Sequence, residues 1–341
     1  MSKFDKFRTR INKRGIPTSL SKIDRWVSTG SMALNYVITG SLSKGVPNRR
    51  TGCIAGPQGS GKSLLLGNIA KAMQDEGYHI FYFDSENAID EEFLARLNVD
   101  MSDEKFTPIR VYSVEEAVAV FSDILREFDK DEKVAVIVDS LSNLELEAEI
   151  EKFEKEGELA NDMGRKAKSY KQFVQNVNSK VGDRDMFFWY SLHVYENQNV
   201  MNGEGKFKVS GGNAQLYIPS ISIMLDKLNL KEGTKQTGIK MKVTTKKTRY
   251  NQLGVAKEIL IPYATGIDPY DGVPDILADE GIIQKNGGWF TFIDENGKEV
   301  KFQKKTFSQH ADYLITKFNE AEIKERDDLE VLKEIEGEES V

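Results

Sequence analysis

Eight residues, Gly56-Pro-Gln-Gly-Ser-Gly-Lys-Ser63, place a lysine and a hydroxyl directly after a run of three spaced glycines. They fit G-x-x-x-x-G-K-[ST], a pattern whose chemistry is phosphate binding. Gly56, Gly59 and Gly61, with Ser60 between them, allow backbone N–H groups to turn inward around a phosphate with no Cβ in the way. Lys62 has the reach for the β- and γ-phosphates of a nucleotide, and Ser63 offers a hydroxyl to Mg²⁺. A strand-like run, Thr51–Ala55, precedes the loop, and a helical run, Leu64–Met73, follows it. That context is the one the pattern needs, because the helix start adds unpaired N–H groups and a positive dipole end.

Three more polar residues follow apolar runs of strand length. Asp139 closes Val134-Ala-Val-Ile-Val138, a buried-strand pattern, and its carboxylate suits Mg²⁺ opposite Ser63. Glu86 follows Tyr78–Asp84; it either orients water toward the γ-phosphate or caps the next helix. His193 follows Met186–Leu192, where it either senses the γ-phosphate or takes a hydrogen bond at a strand end. The three histidines fall in separate elements, so no metal cluster and no Ser/His/Asp or Cys/His nucleophile is expected.

The elements that must position these residues alternate strand and helix. Further helices are expected over Glu91–Leu97, Val114–Phe128 and, interrupted near Gly157 and Gly164, Glu145–Val181. Three β-like runs, Ser220–Leu230, Ile239–Arg249 and Val255–Tyr263, precede a small C-terminal lobe. Such alternation implies an α/β fold with a mostly parallel sheet and helices on both faces. Ligands in such sheets sit at the carboxyl ends of the strands, which puts Lys62, Glu86, Asp139 and His193 on one rim.

Composition narrows the setting. No run of 18 apolar residues occurs, so no membrane span is expected, and the N-terminus carries no apolar leader. One cysteine, Cys53, excludes an internal disulfide and fits a reducing, intracellular setting. The net charge of −7 is uneven: residues 319–341 carry ten acidic and three basic side chains, and residues 1–25 carry eight basic and two acidic. The basic arm suits nucleic acid, an acidic protein surface or plain solvation. Residues 194–213 lack periodicity and read as a long loop holding Val200, Met201, Lys206, Phe207 and Lys208. Cations and apolar wedges among glycines suit single-stranded nucleic acid, a protein contact or disorder.

Taken in order, these segments resemble the RecA recombinase family from about Val27 to Phe292. Val27-Ser-Thr-Gly-Ser-Met-Ala-Leu34 resembles the segment leading into the family's core, Gly56–Ser63 its phosphate loop, Asp84–Asp90 its catalytic-glutamate segment and Asp139-Ser-Leu141 its Walker B. The resemblance implies ATP and Mg²⁺ as cofactors, Glu86 as water activator, and Asp90 and Phe93 against the adenine. Phe93 can stack on a base but cannot donate a hydrogen bond. Asp162-Met-Gly164 and the basic helix after it resemble the first DNA loop, which implies DNA contacts from Met163, Arg165, Lys166 and Lys168. Gly211-Gly-Asn-Ala-Gln215 closes a stretch resembling the second, with Gly211 and Gly212 at its end. Lys247-Thr-Arg249 resembles the pair that reaches the ATP of a neighbouring subunit.

Within the family, His193, Gly266-Ile-Asp-Pro-Tyr270 and Asn286-Gly-Gly-Trp289 are similar to the UvsX-type recombinases of T-even-like phages; bacterial RecA has Gln where His193 stands. The resemblance implies a RecA-type P-loop ATPase core at 27–265, an N-terminal polymerisation segment at 1–26 and a small C-terminal lobe at 266–318, and the charge of residues 319–341 marks them as an acidic disordered tail. It implies an ATP-dependent recombinase that forms a helical filament of itself on single-stranded DNA and exchanges strands with double-stranded DNA. A recombination mediator and a single-strand-binding protein would be accessory partners, in the cytoplasm of a bacterial host and away from membranes. Rival readings are a ring helicase of the same core, a small-molecule kinase and a non-hydrolysing mediator. The kinase would need an arginine-rich lid, and residues 90–130 hold only Arg96, Arg110 and Arg126.

Overall fold

The computed structural model describes residues 2–15, 18, 20–87, 89–159, 163–197, 206–232, 235–262 and 266–338. The chain begins with α1 (Lys3–Asn12), β1 (Trp26–Val27), α2 (Met32–Thr39) and β2 (Val46–Pro47). The central part follows as β3 (Arg50–Gly56), α3 (Lys62–Asp75), β4 (His79–Asp84), α4 (Glu91–Arg96), β5 (Phe106–Arg110), α5 (Val114–Glu127), β6 (Val134–Asp139), α6 (Glu147–Glu156), α7 (Met163–Val181), β7 (Met186–Glu196) and β8 (Phe207–Val209). Then come α8 (Ala214–Tyr217), β9 (Ile221–Glu232), β10 (Lys235–Lys247) and β11 (Ala256–Pro262). A small lobe follows: α9 (Val273–Asp279), the three-stranded antiparallel sheet β12 (Gln284–Asn286), β13 (Trp289–Ile293) and β14 (Glu299–Phe302), and α10 (Ala311–Glu338).

The large sheet has the order β11-β10-β9-β3-β7-β6-β4-β5, parallel from β9 to β5 and antiparallel across β9, β10 and β11. The fold is the RecA-type α/β architecture expected above. Its central strands β4 and β6 are apolar and buried along nearly their whole length because both faces are covered. Along β6, Ala135 and Ile137 join the core layer of α2 and α3, while Val134, Val136 and Val138 join the layer of α5 and α7. Trp189 of β7 is 1 % exposed and stands where a Cβ on Gly52 would go, so glycine in β3 makes room for the indole.

Several expectations are corrected. β5 is a strand the sequence pattern does not announce; Pro108 interrupts its alternation and is tolerated because β5 is the sheet edge. The α6 helix ends on Gly157 at φ +66°, but Gly164 lies within the first turn of α7 instead of interrupting it. β7 does not stop before His193 but runs to Glu196, and β8 pairs with the overhang, so residues expected as a loop form a hairpin base. Residues 319–338, expected to be a disordered tail, continue α10 as helix. Their Glu, Lys, Leu, Ile and Ala content has high helix propensity, and proline is absent. Among the described residues, no helix is long and apolar enough to cross a membrane.

Candidate nucleotide site and the surface beside it

The loop between β3 and α3 is shaped by two left-handed glycines, Gly59 at φ +67° and Gly61 at φ +93°, the second being the N-cap of α3. At Gly56 a Cβ would stand 2.5 Å from Ser60 Oγ, so the turn closes tightly there. Ser60 Oγ is buried and has no hydrogen-bond partner among the described residues. Lys62 is 5 % exposed, and its Nζ donates to the carbonyls of Gly56 and Pro57, each at 3.1 Å. Burial pushes its ammonium below the usual lysine range, and the charges of Asp139 and Glu86 oppose that shift.

Asp139 ends β6 beside this loop, 4 % exposed. Tyr82 OH donates to its Oδ2 at 3.1 Å, and Ser191 Oγ donates to its Oδ1. Burial raises its carboxyl above the usual range, while hydrogen bonds from Ser191, Ser63 and Tyr82 counter that. A buried carboxylate with hydroxyls around it, Ser63 among them, is a donor set for a hard divalent cation. Ser85 Oγ donates to Ser140 O at 2.7 Å and accepts from Ser140 N at 2.9 Å, which lashes the end of β4 to the end of β6.

Glu86 sits on the turn after β4, its N–H donating to Asp84 Oδ1 at 3.0 Å. His193 Nε2 lies 2.6 Å from Glu86 Oε1, and His193 Nδ1 lies 3.4 Å from Lys62 Nζ. The hydrogen bond from His193 is the main cause that holds Glu86 below the usual glutamate range. Thus the structure brings Gly56, Gly59, Ser60, Gly61, Lys62, Ser63, Glu86, Asp139 and His193 to one rim.

Four expected residues stand elsewhere. Asp90 caps α4 by accepting from Phe93 N at 2.6 Å, and the Phe93 side chain packs against the core layer that α3 occupies. Lys247 is in register with Ser222 of β9, and through it with Cys53, three residues before the loop begins at Gly56. Its Nζ donates to Tyr217 O at 2.6 Å. Arg249 is exposed just beyond it. Among the described residues, no hydrogen bond or ion pair joins either to the loop at Gly56–Ser63.

The surface next to the site joins the two expected DNA segments. Ser210 N donates to His193 O at 3.0 Å, and β8 pairs Lys208 with Tyr195 and Phe207 with Glu196. A Cβ on Gly211, at φ +77°, would stand 2.5 Å from Tyr170 Cε2, and one on Gly212 would stand 3.8 Å from Ala167 Cβ. The Lys166 ammonium lies over the Tyr170 ring at 5.9 Å. The start of α7, with the exposed Arg165 and Lys168, therefore abuts the glycines that follow β8. Lys206 Nζ packs over Phe207 at 4.8 Å and pairs with Asp226 at 3.0 Å. Val200 and Met201 lie outside the described residues, as does the side chain of Met163.

Sequence reasoning missed the supporting residues. His193 N donates to Ser142 Oγ at 2.8 Å, and the buried Tyr170 OH donates to Ser142 O at 3.2 Å and to Leu144 O. This ties the rim to α7. One signal was available: Ser191 is polar inside an apolar run, and a buried hydroxyl needs a partner.

Comparison with known proteins gives the same picture. The RecA N-terminal domain family matches residues 11–268. Protein RecA of Chlorobium limicola is 27% identical over 271 residues, covering 79% of this chain and 73% of its own. Protein RecA of Chloroherpeton thalassium is 27% identical over 304 residues, covering 88% of this chain and 80% of its own.

Proposed function

This chain belongs to the RecA family, and from that premise we propose that it is an ATP-dependent recombinase that assembles as a helical filament on single-stranded DNA, pairs that strand with a homologous duplex and exchanges strands. The observation that carries the reading is the Lys62–His193–Glu86 chain on the rim, continuous through β7 with a hairpin that bears Lys206, Phe207 and Lys208.

In this reading Lys62 and the loop N–H groups bind the triphosphate of ATP, and Asp90 and Phe93 lie toward its adenine. Glu86, kept ionised by His193, orients a water and takes its proton. Mg²⁺ held between Ser63 and Asp139 would supply the positive charge that phosphoryl transfer needs. Lys247 and Arg249 are absent from their own chain's site, so a neighbouring copy supplies them. A head-to-tail contact that does not close builds such a filament, with α1 as the docking segment. Loss of the γ-phosphate removes the group that His193, Lys247 and Arg249 contact, and the population shifts away from the DNA-binding form.

DNA contacts come from Met163, Arg165, Lys166 and Lys168 of α7, from Val200, Met201, Lys206, Phe207 and Lys208, and from the turn at Gly211 and Gly212. His193 and the two C-terminal segments quoted above support a UvsX-type recombinase working in the cytoplasm of a bacterial host, with a mediator and a single-strand-binding protein as accessories. ATP hydrolysis measured with and without single-stranded DNA tests the proposal, together with electron microscopy of the nucleotide-bound complex. DNA-stimulated hydrolysis and open filaments are expected. Closed rings, or hydrolysis indifferent to DNA, would overturn it.

A further inference from the structure

A cation lies against the phosphate loop that the loop's own motif does not contain. β9 and β10 extend past the end of β3, and their rung Lys227–Met241 covers the loop. Met241 Cε is 2.5 Å from where a Cβ on Gly61 would stand, and Lys227 Nζ is 3.0 Å from where one on Gly59 would stand. Lys227 is half-buried and has no hydrogen bond or ion pair to any described residue. Its neighbour Asp226 does not neutralise it: Asp226 points to the other face of the strand, where it pairs with Lys206 at 3.0 Å. An ammonium without an ion pair to any described residue, beside the N-terminus of α3, raises the positive potential at the loop before any ligand arrives.

We propose that Lys227 is a second cation of the triphosphate site, acting in the same chain as Lys62 and attracting the polyphosphate through the loop at Gly59. The inference rests on the reading of Gly56–Ser63 as a nucleotide site. Coulomb attraction scales with the charge of the ligand and falls slowly with distance in a half-buried setting. Lys227 therefore favours ATP over ADP, and ADP over AMP. Its role is positioning and affinity; the chemistry stays with Glu86. Gly59 is set by its left-handed φ of +67°, and its missing Cβ also leaves room for the ammonium beside the loop.

Equilibrium binding of ATP, ADP and AMP to the full chain tests this, with melting in the absence of nucleotide as the check on folding. Lys227→Gln and Lys227→Met are each expected to weaken ATP binding about five- to tenfold, weaken ADP binding less, and leave the nucleotide-free melting temperature within a few degrees. Lys227→Arg should recover most of the ATP affinity. The gap between wild type and Lys227→Met should narrow as salt rises, because screening shortens the reach of a partly exposed charge. ATP affinity unchanged in both neutral variants, or an equal loss for ATP and AMP, would overturn the role of Lys227. Lys62→Ala separates the two levels of the argument. If it binds ATP like the wild type, the nucleotide reading of the loop itself fails.

Discussion

His193 and Glu86 share a 2.6 Å hydrogen bond across 107 positions of sequence, and through it the two ends of the candidate site act as one unit. Glu86→Gln keeps the shape but removes the basic carboxylate. ATP hydrolysis should fall about 10²- to 10⁴-fold while ATP binding persists. Single-turnover hydrolysis beside equilibrium binding checks this; a wild-type rate would remove Glu86 from the chemistry.

The same pair sets a pH dependence. The folded-state carboxyl of Glu86 is held below its ordinary value, mainly by His193. A depressed carboxyl contributes stability that is present above the unfolded value and is lost as pH falls through the folded one. The acid limb of stability should therefore be shallower in Glu86→Gln than in wild type over that window. Denaturant midpoints measured from neutral to acid pH compare them directly.

Lys247 lies level with Cys53, inside β3 and before the end that carries the loop, and Arg249 follows it beyond β10. Arg249→Ala and Lys62→Ala should each lose DNA-stimulated ATPase activity alone. Mixed together on excess single-stranded DNA, they should regain part of it, because some junctions pair an intact loop with an intact Arg249. Absence of recovery at every ratio would argue that the site is not shared.

Tyr170 holds Ser142 and Leu144 from α7 while Gly211 rests on its ring. Tyr170→Phe keeps the packing and leaves two buried carbonyls short of a donor, at a cost of about 1 kcal/mol. The basal ATPase rate should change little, whereas its stimulation by single-stranded DNA should drop. Equal losses in both rates would reduce Tyr170 to a core residue.

The acidic end of α10 carries the last testable charge. Phe318 is buried and meets the Tyr36 ring at 6.2 Å, so ending the chain after Phe318 spares the anchored part of the helix. Residues 319–341 repel a phosphate backbone within roughly 8–10 Å. The shortened chain should bind duplex DNA more tightly at low salt, with the advantage shrinking as salt rises. Identical titrations across the salt series would show the acidic end to be a solvated helix without influence on DNA.

What the sequence made legible was local. Continuous apolar runs such as Val134–Val138 announce strands buried on both faces, and the residue after each run then falls on the ligand rim. The phosphate loop carries its own geometry in its glycines. The missed parts depend on partners distant in sequence. Ser142 meets Tyr170 and His193 only after α7 packs on the sheet, and Lys227 meets Gly59 only because β9 runs beyond β3. The hairpin at β8 was invisible because Phe207–Val209 is too short for periodicity to mark. The acidic end was read as disorder from its charge, although the same residues are good helix formers.

One feature of β7 bears on force. His193 is not a terminal hinge but a residue in mid-strand, with three more strand residues beyond it, about 10 Å of backbone. The antiparallel pairing with β8 braces that length. A strand so braced resists bending and transmits tilt, so it works as a lever. A small tilt at the imidazole would then be carried along the braced strand to the level of Lys206 and Phe207. Stiffness in the overhang would govern how far a shift at His193 carries along the strand toward Lys206 and Phe207.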